Sequence, residues 1–104
     1  MTKIDATRKL RGIYKVLANN QAKVQLNKKL KPLFGQVIMN DSGYKIELNP
    51  NKSGKSFICT VIHECLHAAY WQEHEKTIGR WEKEMFRLLS DRQLTNLMKR
   101  LFSY

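Results

Sequence analysis

Residues 57–71 read FICTVIHECLHAAYW and form the most apolar stretch of the chain. The run is too long for an ordinary strand of about five or six residues, so it predicts a largely buried helix. Within it stands His63-Glu64-Cys65-Leu66-His67. A helix puts residues i and i+4 on one face, about one turn apart. Two imidazoles so placed can converge on one tetrahedral zinc ion at N–Zn distances near ~2.0–2.1 Å. Glu64 follows the first His and is placed to take a proton from a water on that ion. The competing reading is a pair of surface histidines and a solvated carboxylate. In so apolar a helix, however, two His and a Glu are costly to bury without a ligand.

A zinc site that keeps one position open needs a third protein ligand. The next residues offer Glu73, His74, Glu75 and Glu82. Gln72 to Glu75 is a polar break, after which residues 75–90 place Ile78, Trp81, Met85, Leu88 and Leu89 on one helical stripe. That helix must fold back on the motif helix, and its first turn can then reach the ion. Glu75 and Glu82 lie seven positions apart and share a face. Each is a candidate ligand or a partner for a histidine N–H; as surface residues they are ordinary solvated or capping carboxylates.

Upstream, GQVIMN and YKIELN flank Asp41-Ser42-Gly43 and read as a hairpin. Ile46 and Leu48 alternate with Lys45 and Glu47, which predicts one wet sheet face. Val24 and Leu26 alternate within 22–30 and suggest a third short strand. Residues 5–18 carry Leu10, Ile13, Tyr14 and Leu17 at helical spacing. Breaks are expected at Asn19-Asn20, Lys31-Pro32 and Asn49-Pro50-Asn51, with Ser53 or Ser56 capping the motif helix. Residues 92–102 read as a last short helix capped by Ser90 or Asp91. The expected class is α+β: an N-terminal helix, a small, mostly antiparallel sheet of about three strands, the motif helix, and one or two C-terminal helices.

The chain has 104 residues with 19 Lys+Arg against 9 Asp+Glu, a formal net charge of +10. This length suits one domain over 1–104 and leaves no room for a large catalytic scaffold. The 42% hydrophobic content argues against disorder. Up to position 32, nine Lys or Arg face Asp5 alone. Such a surface attracts nucleic acid or acidic proteins. No apolar run approaches the ~20 residues of a membrane span, and MTKIDATRKLRG lacks the apolar core of a secretory signal. Cys59 and Cys65 sit six apart in one predicted helix, about 9 Å by helical rise. A disulfide needs less than about 7 Å, so both read as free thiols of a reducing compartment. Cys65 points away from the paired His and reads as a small core residue.

VIHECLHAAYW, preceded by GQV and YKIELNP and followed by EKTIGRWEKEMFRLL, resembles compact zincin metallopeptidases. It is similar to the SprT-like group and to small zincins of phages and prophages, over about residues 35–90. The resemblance implies a minimal zincin fold with Zn²⁺ held by His63 and His67. It further implies a Glu at the start of the next helix as third ligand, which selects Glu75, and Glu64 as the catalytic base. SprT-like enzymes more often supply a third His soon after the motif; Trp71 stands at that nearby position here. The 104 residues hold no cysteine-rich zinc ribbon of the longer relatives.

The expected function is a zinc-dependent metallopeptidase that hydrolyses peptide bonds through a metal-bound water activated by Glu64. Its substrate would be a protein or peptide, acidic or associated with nucleic acid, lying along an edge strand such as 44–48. The expected setting is the cytoplasm of a bacterium or phage-infected cell, with no membrane partner. The rival is a basic nucleic-acid-binding or host-interaction protein on a zincin-like fold, its metal catalytically idle. Tyr70 is a candidate donor to a reaction oxyanion or a packing residue; Trp71 and Trp81 read as packing residues.

Overall fold

The structure, a computed structural model, describes residues 1–18, 22–26, 35–40, 43–48 and 54–102. Helix α1 spans Lys3–Ala18. It starts two residues before the expected position 5 because Thr2 and Asp5 form a reciprocal cap. The Thr2 N–H donates to Asp5 Oδ2 at 3.0 Å, and the Asp5 N–H to Thr2 Oγ1 at 3.1 Å. Strands β1 (Ala22–Leu26), β2 (Gly35–Asn40) and β3 (Gly43–Leu48) follow. Helices α2 (Gly54–Ala69), α3 (Glu75–Leu88) and α4 (Asp91–Phe102) complete the chain. Ser90 caps α4: its hydroxyl accepts the Gln93 N–H at 3.1 Å, while Gln93 Oε1 accepts the Ser90 N–H at 2.9 Å. Ser56 lies inside α2 and is no cap. The breaks expected at Asn19-Asn20, Lys31-Pro32, Asp41-Ser42 and Asn49-Pro50-Asn51, and the Ser53 cap, lie outside the described residues.

The sheet order is β1-β3-β2. β2 and β3 pair antiparallel, with Gly35 opposite Leu48 and Asn40 opposite Gly43. β1 runs parallel to β3, Ala22 beside Tyr44 and Leu26 beside Leu48. The expected mostly antiparallel sheet is therefore corrected to a mixed one. A parallel neighbour requires a crossover connection instead of a tight turn, and the alternation of apolar residues within a strand carries no trace of that choice.

A second correction follows from the same order. β3 is the central strand, so residues 44–48 have neighbours on both sides and offer no edge to a peptide. The edges are β1 and β2. A third concerns Glu47, expected on a wet face. Its side chain is buried, and Gln36 Nε2 donates to its Oε1 at 3.0 Å. The sheet face away from Ile46 and Leu48 is covered at that point.

Ile46 and Leu48 join one core with Ile13 of α1, Val61, Ile62 and Leu66 of α2, and Ile78 and Met85 of α3. Burying each such side chain stabilises by about 1.5–3 kcal/mol before chain entropy is counted. Leu94, Leu97 and Leu101 of α4 close the core. α2 packs against α1, α3, β2 and β3 and is the axis of the fold. It ends at Ala69, so Trp71 falls in the following turn and is 55% exposed. That corrects its expected packing role. Both cysteines are free. Burial pushes the Cys65 thiol up to about 12 and raises that of Cys59. Among the described residues no helix is long and apolar enough to cross a membrane.

Candidate metal centre

α2 carries His63 and His67 on the face turned toward α3. The turn at Tyr70–Glu73 closes with the Glu73 N–H donating to the Tyr70 carbonyl at 3.0 Å. This reversal starts α3 at Glu75, against the exposed ends of both imidazoles. His63 Nε2 lies 2.6 Å from Glu75 Oε1, and His67 Nε2 2.5 Å from Glu75 Oε2. The two Nε2 atoms are 3.2 Å apart. One turn pair further along α3, Glu82 Oε1 stands 2.8 Å from His63 Nδ1. Among the described residues, His63, His67 and Glu75 form the one acidic and imidazole group able to hold a metal ion.

A neutral imidazole has one N–H and one lone pair. His63 faces a carboxylate at both ring nitrogens, so without a cation it satisfies both only as imidazolium. Both Nε2 atoms and both oxygens of Glu75 then point into one small space. A cation there would resolve the arrangement: both Nε2 lone pairs and the Glu75 carboxylate would be its ligands, leaving the His63 Nδ1–H for Glu82. That is the usual way a carboxylate fixes the tautomer of a ligating histidine.

Atoms around a tetrahedral zinc at ~2.0–2.1 Å are about 3.3 Å apart. The 3.2 Å between the two Nε2 atoms matches this edge. The two contacts to Glu75, 2.6 and 2.5 Å, are hydrogen-bond lengths, shorter by about 0.7–0.8 Å than that edge. Glu75 is 72% exposed at its side chain, so nothing packed around it opposes so small a withdrawal. The donor set, two imidazoles and one carboxylate, suits zinc and leaves one position for water or substrate.

Glu64 lies on the next helical position and is buried, 7% exposed. Burial pushes its carboxyl up to about 7; the His63 ring opposes the rise, while Glu75 and Glu82 add to it. For Glu75, burial pushes upward, but His63 and His67 together outweigh it and hold the carboxyl below its ordinary value. The two carboxylates are thus driven apart: one binds protons weakly beside the imidazoles, the other titrates near neutrality.

Of the four candidate third ligands, the fold brings Glu75 to the Nε2 pair and Glu82 behind His63. Glu73 and His74 are exposed in the turn. His74 sits at the N-cap of α3 with no side-chain capping bond. Tyr70 turns away from the cluster. Its ring meets Trp81 edge-on at 5.5 Å, and its hydroxyl fills the space beside Gly12 of α1. The packing reading of Tyr70 stands, and the oxyanion role finds no support in its direction. Sequence reasoning missed that contact, although a glycine in the middle of an amphipathic helix signals close approach of another group.

No protein-family model, curated protein or solved structure matches this chain.

Proposed function

We propose that the protein is a minimal zinc-dependent metallopeptidase, with Zn²⁺ held by His63, His67 and Glu75. The observation that carries this reading is the convergence of two Nε2 atoms and one carboxylate within 3.2 Å of one another, with a nearly neutral-range carboxyl on the adjacent residue. Zinc there supplies a Lewis acid that polarises a peptide carbonyl and acidifies a water molecule.

Glu64 takes the proton of the attacking water and returns it to the departing amine. A carboxyl titrating near 7 has the proton affinity that both transfers need at neutral pH. Glu82 accepts the Nδ1–H of His63 and so keeps the Nε2 lone pair directed into the site. Glu75, exposed on α3, leaves the centre open to solvent on the side where a protein substrate arrives. β2 is the edge strand that α2 touches, and an extended peptide adding to it would run past the motif helix.

The test uses denatured casein and one equivalent of added zinc. Glu64→Gln keeps its zinc and loses roughly 10²–10⁴-fold in turnover, the usual contribution of a positioned general base. Full turnover in that variant removes Glu64 as base. A wild-type chain that binds zinc yet cleaves nothing, with the variant indistinguishable, leaves a metal-holding protein that is no peptidase.

A further inference from the structure

Three glycines stand in helices, and two of them have a reason within the fold. Gly54 opens α2 at φ +60°, a conformation that residues with a side chain rarely adopt. At Gly12 of α1 a methyl group would run into the Tyr70 hydroxyl. Gly79, in the middle of α3, has neither reason. Its φ lies outside the left-handed region, and nothing stands within 4 Å of where a Cβ would be. After proline, glycine is the poorest helix former. The chain therefore gives up helix stability at Gly79 and gains no contact of its own in return.

Its place on α3 points to a group outside the chain. Ile78 and Met85 face the core. Next round the helix come Glu82 and Glu75, whose carboxylates meet Nδ1 and Nε2 of His63. Gly79 lies about 40° beyond Glu75, and Lys83 and Lys76 follow roughly 40–60° further on. Gly79 is half-buried and both lysines are exposed. The gap at Gly79 thus opens on the solvent side of the metal cluster, between its two carboxylates and two lysines. A glycine is the residue that lets a ligand come close to the backbone. The charges on the two rims differ in what they are free to do. Glu75 and Glu82 are committed to the imidazoles. Lys76 and Lys83 form no ion pair among the described residues, and no carboxylate of α3 stands three or four positions from either. An apolar group in the gap would gain nothing from these ammonium groups, whereas a carboxylate would gain charge-assisted hydrogen bonds.

We propose that the helix surface at Gly79 is a substrate subsite, where an acidic side chain lies against the bare turn of α3 with its carboxylate between Lys76 and Lys83. This rests on the metallopeptidase reading and deepens it: Gly79 sets the room beside the metal centre, and the two lysines set the charge of what fills it.

The test pairs melting with probe binding. Metal-free Gly79→Ala and Gly79→Leu melt about 4–8 °C above wild type, because the space is open and both residues favour helix. With one equivalent of zinc, calorimetry then measures acetohydroxamate, hexanohydroxamate and glutaric acid monohydroxamate. Wild type binds the glutaric probe roughly 10-fold more tightly than the hexanoic one, the effect of one hydrogen bond to a charged group. Gly79→Leu fills the gap and removes that preference, while acetohydroxamate, too short to reach the gap, binds as it does to wild type. Lys76→Gln with Lys83→Gln also removes the preference. Arg92→Gln with Lys99→Gln, the same charge change on exposed positions of α4, keeps it. A Gly79→Ala chain that melts no higher than wild type overturns the proposal, since the glycine then serves the fold. So does a Gly79→Leu chain that keeps the preference, or a wild type that favours the hexanoic probe. Equal loss in the two double variants reports net charge alone and overturns it as well. Loss of acetohydroxamate together with the glutaric probe in Gly79→Leu assigns the glycine to the metal centre instead. A wild type that binds no hydroxamate in the presence of zinc is the separate failure of the metal reading, and the subsite falls with it.

Discussion

Removing the buried charge at Glu64 changes how stability depends on pH, and the size of the change follows from its burial. The carboxyl titrates near 7 in the folded protein and near ~4.3–4.5 in an unfolded chain. The folded state therefore binds this proton more tightly. Its stabilising effect is complete below about 4.5, is lost as pH rises toward 7, and then levels off. A shift of roughly 2.5 units is worth about 3 kcal/mol at full separation, and relaxation and water entry at a site that is not fully sealed bring the expected value to about 2–3 kcal/mol. The assay is urea unfolding of metal-free protein, with chelator, from pH 4 to pH 8, for wild type and Glu64→Gln. Groups that do not interact with Glu64 cancel in the difference. The Gln variant gains about 2–3 kcal/mol on wild type across that range, most of it between pH 4.5 and 7. Adding zinc to wild type flattens its curve, because a nearby cation favours the carboxylate. A difference constant within about 0.5 kcal/mol, or one that shrinks as pH rises, refutes the buried, proton-retaining Glu64.

Glu82→Ala removes the acceptor of the His63 Nδ1–H and weakens zinc binding by roughly 10–100-fold, measured by competition with a chromogenic chelator; Glu82→Gln, which keeps an acceptor oxygen, recovers part of that loss. Gly12→Ala ought to stabilise a helix by about 1 kcal/mol, but here the new methyl meets the Tyr70 hydroxyl, so the variant melts lower. In a Tyr70→Phe background the same substitution becomes neutral or stabilising, and a higher melting temperature in the wild-type background contradicts the contact.

The order of helices and strands is legible in the sequence because each element carries its own period. Ile78, Trp81 and Met85 mark α3, and the alternation around Ile46 and Leu48 marks β3. Ends are less legible where caps decide them: Thr2 and Asp5 draw α1 back to Lys3. Sheet order is not legible, because pairing between β1 and β3 joins residues some twenty positions apart and any two strands of alternating character can be neighbours. Hence the edge assigned to 44–48 failed, and Glu47 proved buried although the period placed it outward. The candidate site is the reverse case. His63, Glu64 and His67 are fixed by helical spacing alone. Spacing alone left Glu75 and Glu82 open, since seven residues put both on one face; the family resemblance selected Glu75, and the angle between α2 and α3 brings Glu75 to the Nε2 pair and Glu82 to Nδ1 of His63.

The most direct test is X-ray absorption at the zinc edge on protein loaded with one equivalent of metal. Two imidazoles and one carboxylate predict a first shell of nitrogen and oxygen at about 2.0–2.1 Å, with imidazole multiple scattering and no sulfur. His63→Ala and Glu75→Ala each change that spectrum. Failure of the chain to retain zinc contradicts the metal centre, as does a sulfur shell near ~2.3 Å from Cys59 or Cys65.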